Sequence, residues 1–275
     1  MPTDILNAKR DKLIACLEAL QSVAVAFSGG VDSAFLAVMA RQTLGDRMVA
    51  LKAVSPIHSV REHRAALQFA ETYDLPLNVI TTDELGVSGI AENPADRCYH
   101  CKQYLMTLMA AQAEKMGFAH IAHGANPDDL DDYRPGFKAA KELDIKAPLI
   151  DAGLTKAEIR RLSREMGLPT WNRPPMACLA SRIPYGRPLT KTTLEKVAQA
   201  EDLLYDLGVA TCRVRHHGNL ARIEIDPAEF VRLVTGPVRE ELVAGLQGLG
   251  YDHVCLDLEG YVQGSLNRDL GKQEP

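Results

Sequence analysis

Short apolar segments of strand composition alternate with helical segments through the first half of the chain, and this alternation restricts the fold more than any single motif does. Residues 5–20 read as an amphipathic helix, 22–27 as a strand, 33–44 as a helix, 48–54 as a strand, and 59–73 as a helix opened by a capping box of Ser59 and Glu62. Residues 77–82 and 119–124 read as further strands around a helix at 100–116, and 147–151 as another strand. A helix at 155–166 follows, with a capping box of Thr155 and Glu158 and with Gly167 past its end. Strands separated by helices predict an α/β fold: a parallel sheet with helices on both faces and ligands at the carboxyl ends of its strands.

The pattern changes at residues 168–190 (LPTWNRPPMACLASRIPYGRPLT), a proline-rich stretch without a clean period that reads as a linker carrying function. Beyond it, 190–207 reads as a helix, TCRVRHHG and LARIEID as a hairpin around Gly218 and Asn219, 227–247 as helical and HVCLDLEGY as a last strand. We therefore expect a domain over 1–170, a linker over 171–189 carrying Cys178, and a small α+β domain over 190–275.

Composition narrows the function. At 275 residues and 46% hydrophobic, the chain can bury a sizeable core. A net charge of −5 speaks against a broad grip on nucleic acid and favours small anionic substrates. No apolar run approaches the roughly 20 residues of a membrane helix, and charges stand where a signal peptide has its apolar segment. A cytoplasmic protein with no membrane partner is expected. Its six cysteines, at 16, 98, 101, 178, 212 and 255, are then unsuited to structural disulfides and direct attention to metal or sulfur chemistry.

The most specific motif is Ser28-Gly29-Gly30-Val31-Asp32-Ser33, between strand and helix. Glycines let the backbone approach an anion where the helix dipole adds positive potential, and two serines can donate hydroxyls. Asp32, at an exposed turn, could orient the loop or a magnesium ion. The motif lacks the lysine of a Walker loop. It resembles the pyrophosphate loop of the PP-loop ATP pyrophosphatases, which adenylate a carboxylate or carbonyl. HGANPDDL (123–130) resembles the second nucleotide-side segment of that family, with Asp129 as the second magnesium candidate and Arg134 able to reach a substrate carboxylate or phosphate.

Cys98 and Cys101 have C-x-x-C spacing, compatible with redox activity, with zinc if His100 or His123 joins, or with a [4Fe–4S] cluster completed by Cys178. Cys16, Cys212 and Cys255 read as core or silent thiols. Arg213 and Arg215 alternate on one strand face, where they suit a phosphate dianion or line a solvated edge.

Taken together, SGGVDS, RCYHCK, HGANPDD, Arg134-Pro135-Gly136 and the run from Trp171 to Gly186 containing CLASRIPYG resemble the LarE family, ATP-dependent sulfur transferases of nickel-pincer cofactor biosynthesis. The resemblance covers nearly the whole chain. It implies ATP and Mg2+ held by Ser28, Gly29, Gly30, Asp32, Ser33, Ser55, Gly124 and Asp129, with Asp32 and Cys178 catalytic. It implies a substrate, pyridinium-3,5-biscarboxylic acid mononucleotide, contacted by Arg134, Ser181, Arg182, Arg213 and Arg215. Its three-cysteine members imply a [4Fe–4S] cluster on Cys98, Cys101 and Cys178 that passes on sulfide from a donor; its other branch implies sacrifice of Cys178 sulfur. Homo-oligomers, hexamers, are also implied. A tRNA thiolase and a redox-sensing nucleotide-binding module are the rival readings.

Overall fold

The computed structural model of the protein describes residues 3–130, 135–262, 264–266 and 268. Contacts divide the chain into two compact units, one of Met1–Ser55, Glu62–Asp83 and Asp96–Met176, the other of Pro56–Arg61, Glu84–Ala95 and Ala177–Pro275.

As far as residue 165 the elements are α1 (Thr3–Leu20), β1 (Val23–Ala26), α2 (Val31–Leu44), β2 (Met48–Val54), α3 (Val60–Thr72), β3 (Leu77–Thr81), α4 (Arg97–Lys115), β4 (Ile121–His123), α5 (Pro135–Glu142), α6 (Pro148–Asp151) and α7 (Lys156–Glu165). The strands form a parallel sheet in the order β3-β2-β1-β4, the α/β architecture expected from the alternation. Successive side chains of a strand point to opposite faces. Val23, Val25 and Ala50 accordingly join the core with Phe35 and Leu36 of α2 and Ile159 of α7. Ala24, Val49 and Leu51 pack on the other face with Met106, Met109 and Ala113 of α4. Each large apolar side chain fully buried in these cores contributes about 1.5–3 kcal/mol. Because β1 has β2 on one side and β4 on the other, the chain reverses direction across the sheet at β1. A crevice opens at such a switch point beyond the carboxyl ends of the strands.

The strand expected at 147–151 is not formed. Lys146 alone makes a parallel bridge to Ala122, and Pro148, at the first turn of α6, starts a helical turn closed by Asp151 N donating to the carbonyl of Ala147 (3.1 Å). Proline's fixed φ and missing N–H favour a helix start over a ladder position.

The remaining elements, in the second unit, are α8 (Lys191–Asp206), β5 (Cys212–His217), β6 (Leu220–Ile225), α9 (Phe230–Val234), α10 (Gly236–Gly248) and β7 (His253–Leu256). β5 and β6 form the expected antiparallel hairpin, turning at Gly218 with φ 72°, and β7 adds parallel to β6. α8 and α10 pack on this sheet through Ala200, Leu204, Leu242 and Leu246. The single helix expected at 227–247 is broken between α9 and α10. Thr235 is extended there and Gly236 has φ 59°, as the residue before Pro237 is steered away from helical conformation.

Candidate active site

Phe27 follows β1, its N–H on the carbonyl of Leu51 (2.8 Å), and the chain then turns through Ser28, Gly29 and Gly30 into α2. Gly29 has φ 87°, and a Cβ there would lie 2.7 Å from the Cβ of Ala66, so only glycine fits. The Ser28 and Ser33 hydroxyls are 2.9 Å apart; Ser28 Oγ accepts from Gly30 N and Ser33 Oγ donates to the Gly30 carbonyl, both at 3.2 Å. These bonds close the turn on itself. Gly30 at the N-cap of α2 offers no side-chain cap, which leaves the first N–H groups of this 14-residue helix open to an anion. Gly124, after β4, brings the second segment against the first: a Cβ there would lie 2.8 Å from the backbone N of Ser33. The two motifs thus meet at the switch point.

Three cations from outside the loop hold it. Buried Lys52, on β2, donates to the Ser28 carbonyl (3.3 Å), and its pKa is lowered by desolvation, with Glu62 opposing. Arg173 donates to the Gly29 carbonyl (3.0 Å), while Arg160 of α7 grips the carbonyls of Trp171 and Arg173 (both 2.7 Å). Lys156, the first residue of α7, pairs with Asp32 Oδ2. The Thr155–Glu158 capping box expected from sequence fixes this end of α7, and Lys156 N also donates to Asp128 (2.8 Å). None of these three cations is adjacent to the loop in sequence; Lys156 lies 124 residues from its partner. The local pattern carried no sign of them beyond the capping box that marks where α7 begins.

Asp32 is not at an exposed turn as expected: its side chain is 20% exposed. Its Oδ1 is buried with no hydrogen-bond partner. Desolvation raises its pKa against the opposing charge and hydrogen bond of Lys156, and Asp129 raises it further. Asp129 is itself part of a capping box, its Oδ2 accepting from Asn126 N (3.0 Å). An unsatisfied carboxylate oxygen beside a second carboxylate fits a divalent cation, so Asp32 and Asp129 are the residues that would hold magnesium. Ser55 is buried just after β2. Arg134 lies outside the described residues.

In the second unit, Cys178 precedes a 3-10 turn over Leu179–Arg182. Its carbonyl accepts from Ser181 Oγ (2.9 Å) and Arg182 Nη1 (3.0 Å), and Arg182 forms a bidentate pair with Glu201 (2.8 and 2.9 Å). Arg215 pairs likewise with Glu224 (2.9 and 2.7 Å) and donates to the Ser181 carbonyl (2.8 Å). Cys178, Ser181, Arg182 and Arg215 therefore share one network. Arg213 donates to the Cys212 carbonyl (2.7 Å) and stacks over Tyr261. Neither strand arginine lines a solvated edge: Arg213 is 5% and Arg215 6% exposed. A cavity of about 150 Å³ is lined by Arg182, Arg215, Arg222, Arg268, Glu224 and Asp257.

Cys98 and Cys101 stand in the first turn of α4, in the first unit, and Cys178 belongs to the second. Among the described residues no three His, Cys, Asp or Glu side chains are gathered into a metal-binding group. Cys212 is buried and its thiol is pushed up to about 12 by desolvation, in keeping with a silent core position. Among the described residues no helix is long and apolar enough to cross a membrane.

Comparison with known proteins identifies the family. The NAD synthase family matches residues 8–93, which hold the loop. The pyridinium-3,5-bisthiocarboxylic acid mononucleotide synthase of Lactiplantibacillus plantarum is 35% identical over 98% of this chain and 97% of its own length. The chain belongs to the LarE family. An uncharacterised protein of Synechocystis is 39% identical over 98% of this chain and its own full length. A glutamine-hydrolysing GMP synthase of Cereibacter sphaeroides is 28% identical over 91% of this chain and 50% of its own length. As a LarE-family chain with a pyrophosphate loop, the protein is an ATP-dependent enzyme.

Proposed function

We propose that this protein adenylates a carboxylate of pyridinium-3,5-biscarboxylic acid mononucleotide and replaces the adenylate with sulfur. The observation that carries the reading is the uncapped N-terminus of α2, entered through Gly29 and overlooked by Gly124, with one buried Asp32 oxygen unsatisfied beside it. The synthase of L. plantarum, named for the bisthiocarboxylic product, supplies the substrate class.

A carboxylate resists sulfur nucleophiles because its charge repels them and oxide is a poor leaving group. In the proposed reaction a carboxylate oxygen attacks the α-phosphorus of ATP, the α–β phosphoanhydride bond breaks, and pyrophosphate leaves. A sulfur nucleophile then attacks the acyl carbon, and AMP departs with the C–O electron pair. Ser28, Gly29, Gly30 and Ser33 hold the phosphates through backbone N–H groups and hydroxyls, with Ser55 and Gly124 lining the nucleotide. Asp32 and Asp129 are the residues that would hold magnesium, which would supply positive charge against the phosphates. Arg215 and its cavity suit the nucleotide's own phosphate, with Arg134 and Arg213 further substrate contacts, while Ser181 and Arg182 fix the peptide of Cys178, the residue that handles sulfur.

The cluster on Cys98, Cys101 and Cys178 rests on the spacing and the resemblance. The described side chains do not themselves gather a three-ligand set, so no step is derived through iron.

The test is to incubate the protein with ATP and the dicarboxylic mononucleotide. Equimolar AMP and pyrophosphate, formed only with that substrate, support the enzyme; ATP binding without turnover points to a sensing module, and turnover with tRNA alone points to a thiolase. Iron content of anaerobically purified protein, and mass spectrometry of the Cys178 peptide after turnover, then decide the sulfur source. Loss of one hydrogen sulfide per product means that Cys178 is sacrificed.

A further inference from the structure

We propose that Asn93 is a positioning residue for the sulfur step, a clamp on the loop 183–187 that keeps Arg182 on the peptide of Cys178. The inference rests on the reading above that Cys178 handles sulfur, and adds a residue that no motif contains. The backbone singles it out. Among the described residues, the non-glycine residues with positive φ are Gln21, Asp74, Asn93 and Asp144. Gln21, Asp74 and Asp144 are exposed and stand just past the ends of α1, α3 and α5, where a left-handed residue is an ordinary helix stop. Asn93, with φ 58°, follows no α-helix and is 0% exposed. Asparagine tolerates this conformation better than most residues, yet a buried left-handed residue persists only where its surroundings hold it.

What holds Asn93 is the loop that follows the Cys178 turn. Its side-chain amide donates to the carbonyls of Pro184 (2.8 Å), Arg187 (3.0 Å) and, more weakly, Ile183 (3.4 Å). Its own carbonyl accepts from Gly186 N (2.8 Å), and the carbonyl of Ala91 accepts from Leu189 N (2.7 Å). Carbonyls only accept, so the group that faces them has to be the amide nitrogen. The clamped stretch begins one residue after Arg182. From there the Arg182 side chain reaches back, with Nη1 donating to the carbonyls of Ala177 (2.6 Å) and Cys178 (3.0 Å) and with Glu201 on the rest of its guanidinium. Glu201 thus sets where the guanidinium sits, and Asn93 sets where the backbone behind it starts. With both ends fixed, the Cys178 peptide is held in place, as delivery of sulfur to an acyl carbon requires.

Asn93→Gly in the full chain tests this, because glycine accepts the left-handed backbone and removes the side-chain clamp. With ATP, the dicarboxylic mononucleotide and sulfide, the variant should form AMP within about threefold of the wild-type rate, while thiocarboxylate per AMP falls about 10- to 100-fold as water takes the adenylate instead. A labelling arm needs no turnover. Iodoacetamide should alkylate Cys178 at least about threefold faster in Asn93→Gly than in wild type, with exposed Cys255 unchanged and buried Cys212 unlabelled in both. A residue that only stabilised the fold would leave Cys178 at its wild-type rate in folded protein, or release Cys212 together with it. Asn93→Ser, which keeps one donor, should shift both readouts less and in the same direction, and it decides alone if Asn93→Gly does not fold. Wild-type coupling and labelling in a folded variant, equal losses of AMP and thiocarboxylate, or joint exposure of Cys178 and Cys212 would overturn the proposal. Wild-type protein that forms AMP and pyrophosphate but no thiocarboxylate, whatever the variants do, would overturn the sulfur reading and this proposal with it.

Discussion

Arg182 and Asp32 are both charged side chains largely withdrawn from water, yet their surroundings complete them to different degrees. Arg182, 2% exposed, donates to both oxygens of Glu201 and to the carbonyls of Ala177 and Cys178. Glu201 in turn accepts from Val214 N (3.0 Å). Asp32 has Lys156 on one oxygen and no hydrogen bond on the other. A saturated buried pair holds structure in place, whereas an unsaturated buried oxygen raises the free energy of the site until something binds it. The Arg182–Glu201 pair therefore fixes the peptide of Cys178, whereas the Asp32–Lys156 pair leaves one buried oxygen unsatisfied.

Breaking the saturated pair should have the largest effect on stability. Glu201→Ala leaves Arg182 buried without its carboxylate and should cost about 3–5 kcal/mol, read from denaturant unfolding. A loss under about 1 kcal/mol would mean that the pair is not closed in solution.

Next comes a pH effect in the first unit. His123, at the end of β4 beside Gly124, is buried, and desolvation with help from Lys102 lowers its pKa to about 4. The unfolded histidine takes up its proton near pH 6.5, the folded one only near 4, so stability should fall as pH drops through that window and level off below it. The expected loss is about 3 kcal/mol, and His123→Gln should flatten this part of the curve.

Asp32→Ala sharpens the comparison from the other side. Substrate-dependent AMP formation should drop at least about 100-fold, about 2.7 kcal/mol of transition-state stabilisation. Stability should move by under about 1 kcal/mol, because the residue removed was never fully paired. A large destabilisation would make Asp32 structural and erase the contrast with Arg182.

The smallest effect is expected at Thr155. Replacing it with alanine removes the side-chain cap of α7 and should cost about 1 kcal/mol in a thermal or denaturant melt.

Much of this was legible residue by residue. The glycine loop between strand and helix, the Thr155–Glu158 box and the hairpin at Gly218 were all visible because each is specified within a few positions of itself, by a required φ or by a side chain reaching three residues along the chain. Where a neighbour intervened, the reading failed. The apolar run at 147–151 looked like a strand, but Pro148 turned it into helix after a single bridge at Lys146. Alternation put Arg213 and Arg215 on one strand face, but the solvated edge it also allowed is not what forms, because alternation tells which face a residue shares and not what is buried against it. Arg215 meets Glu224 on the adjacent strand, and Arg213 lies over Tyr261.

The sequence by itself determined the parallel sheet, the position of the phosphate loop and the family, since each follows from order and spacing along the chain. Only the tertiary structure decided how charge is distributed around that loop. Lys52, Lys156 and Arg173 reach Ser28, Asp32 and Gly29 across 24, 124 and 144 residues, and pairing over such separations is set by the packing of β2 and α7 beside the loop, not by local pattern.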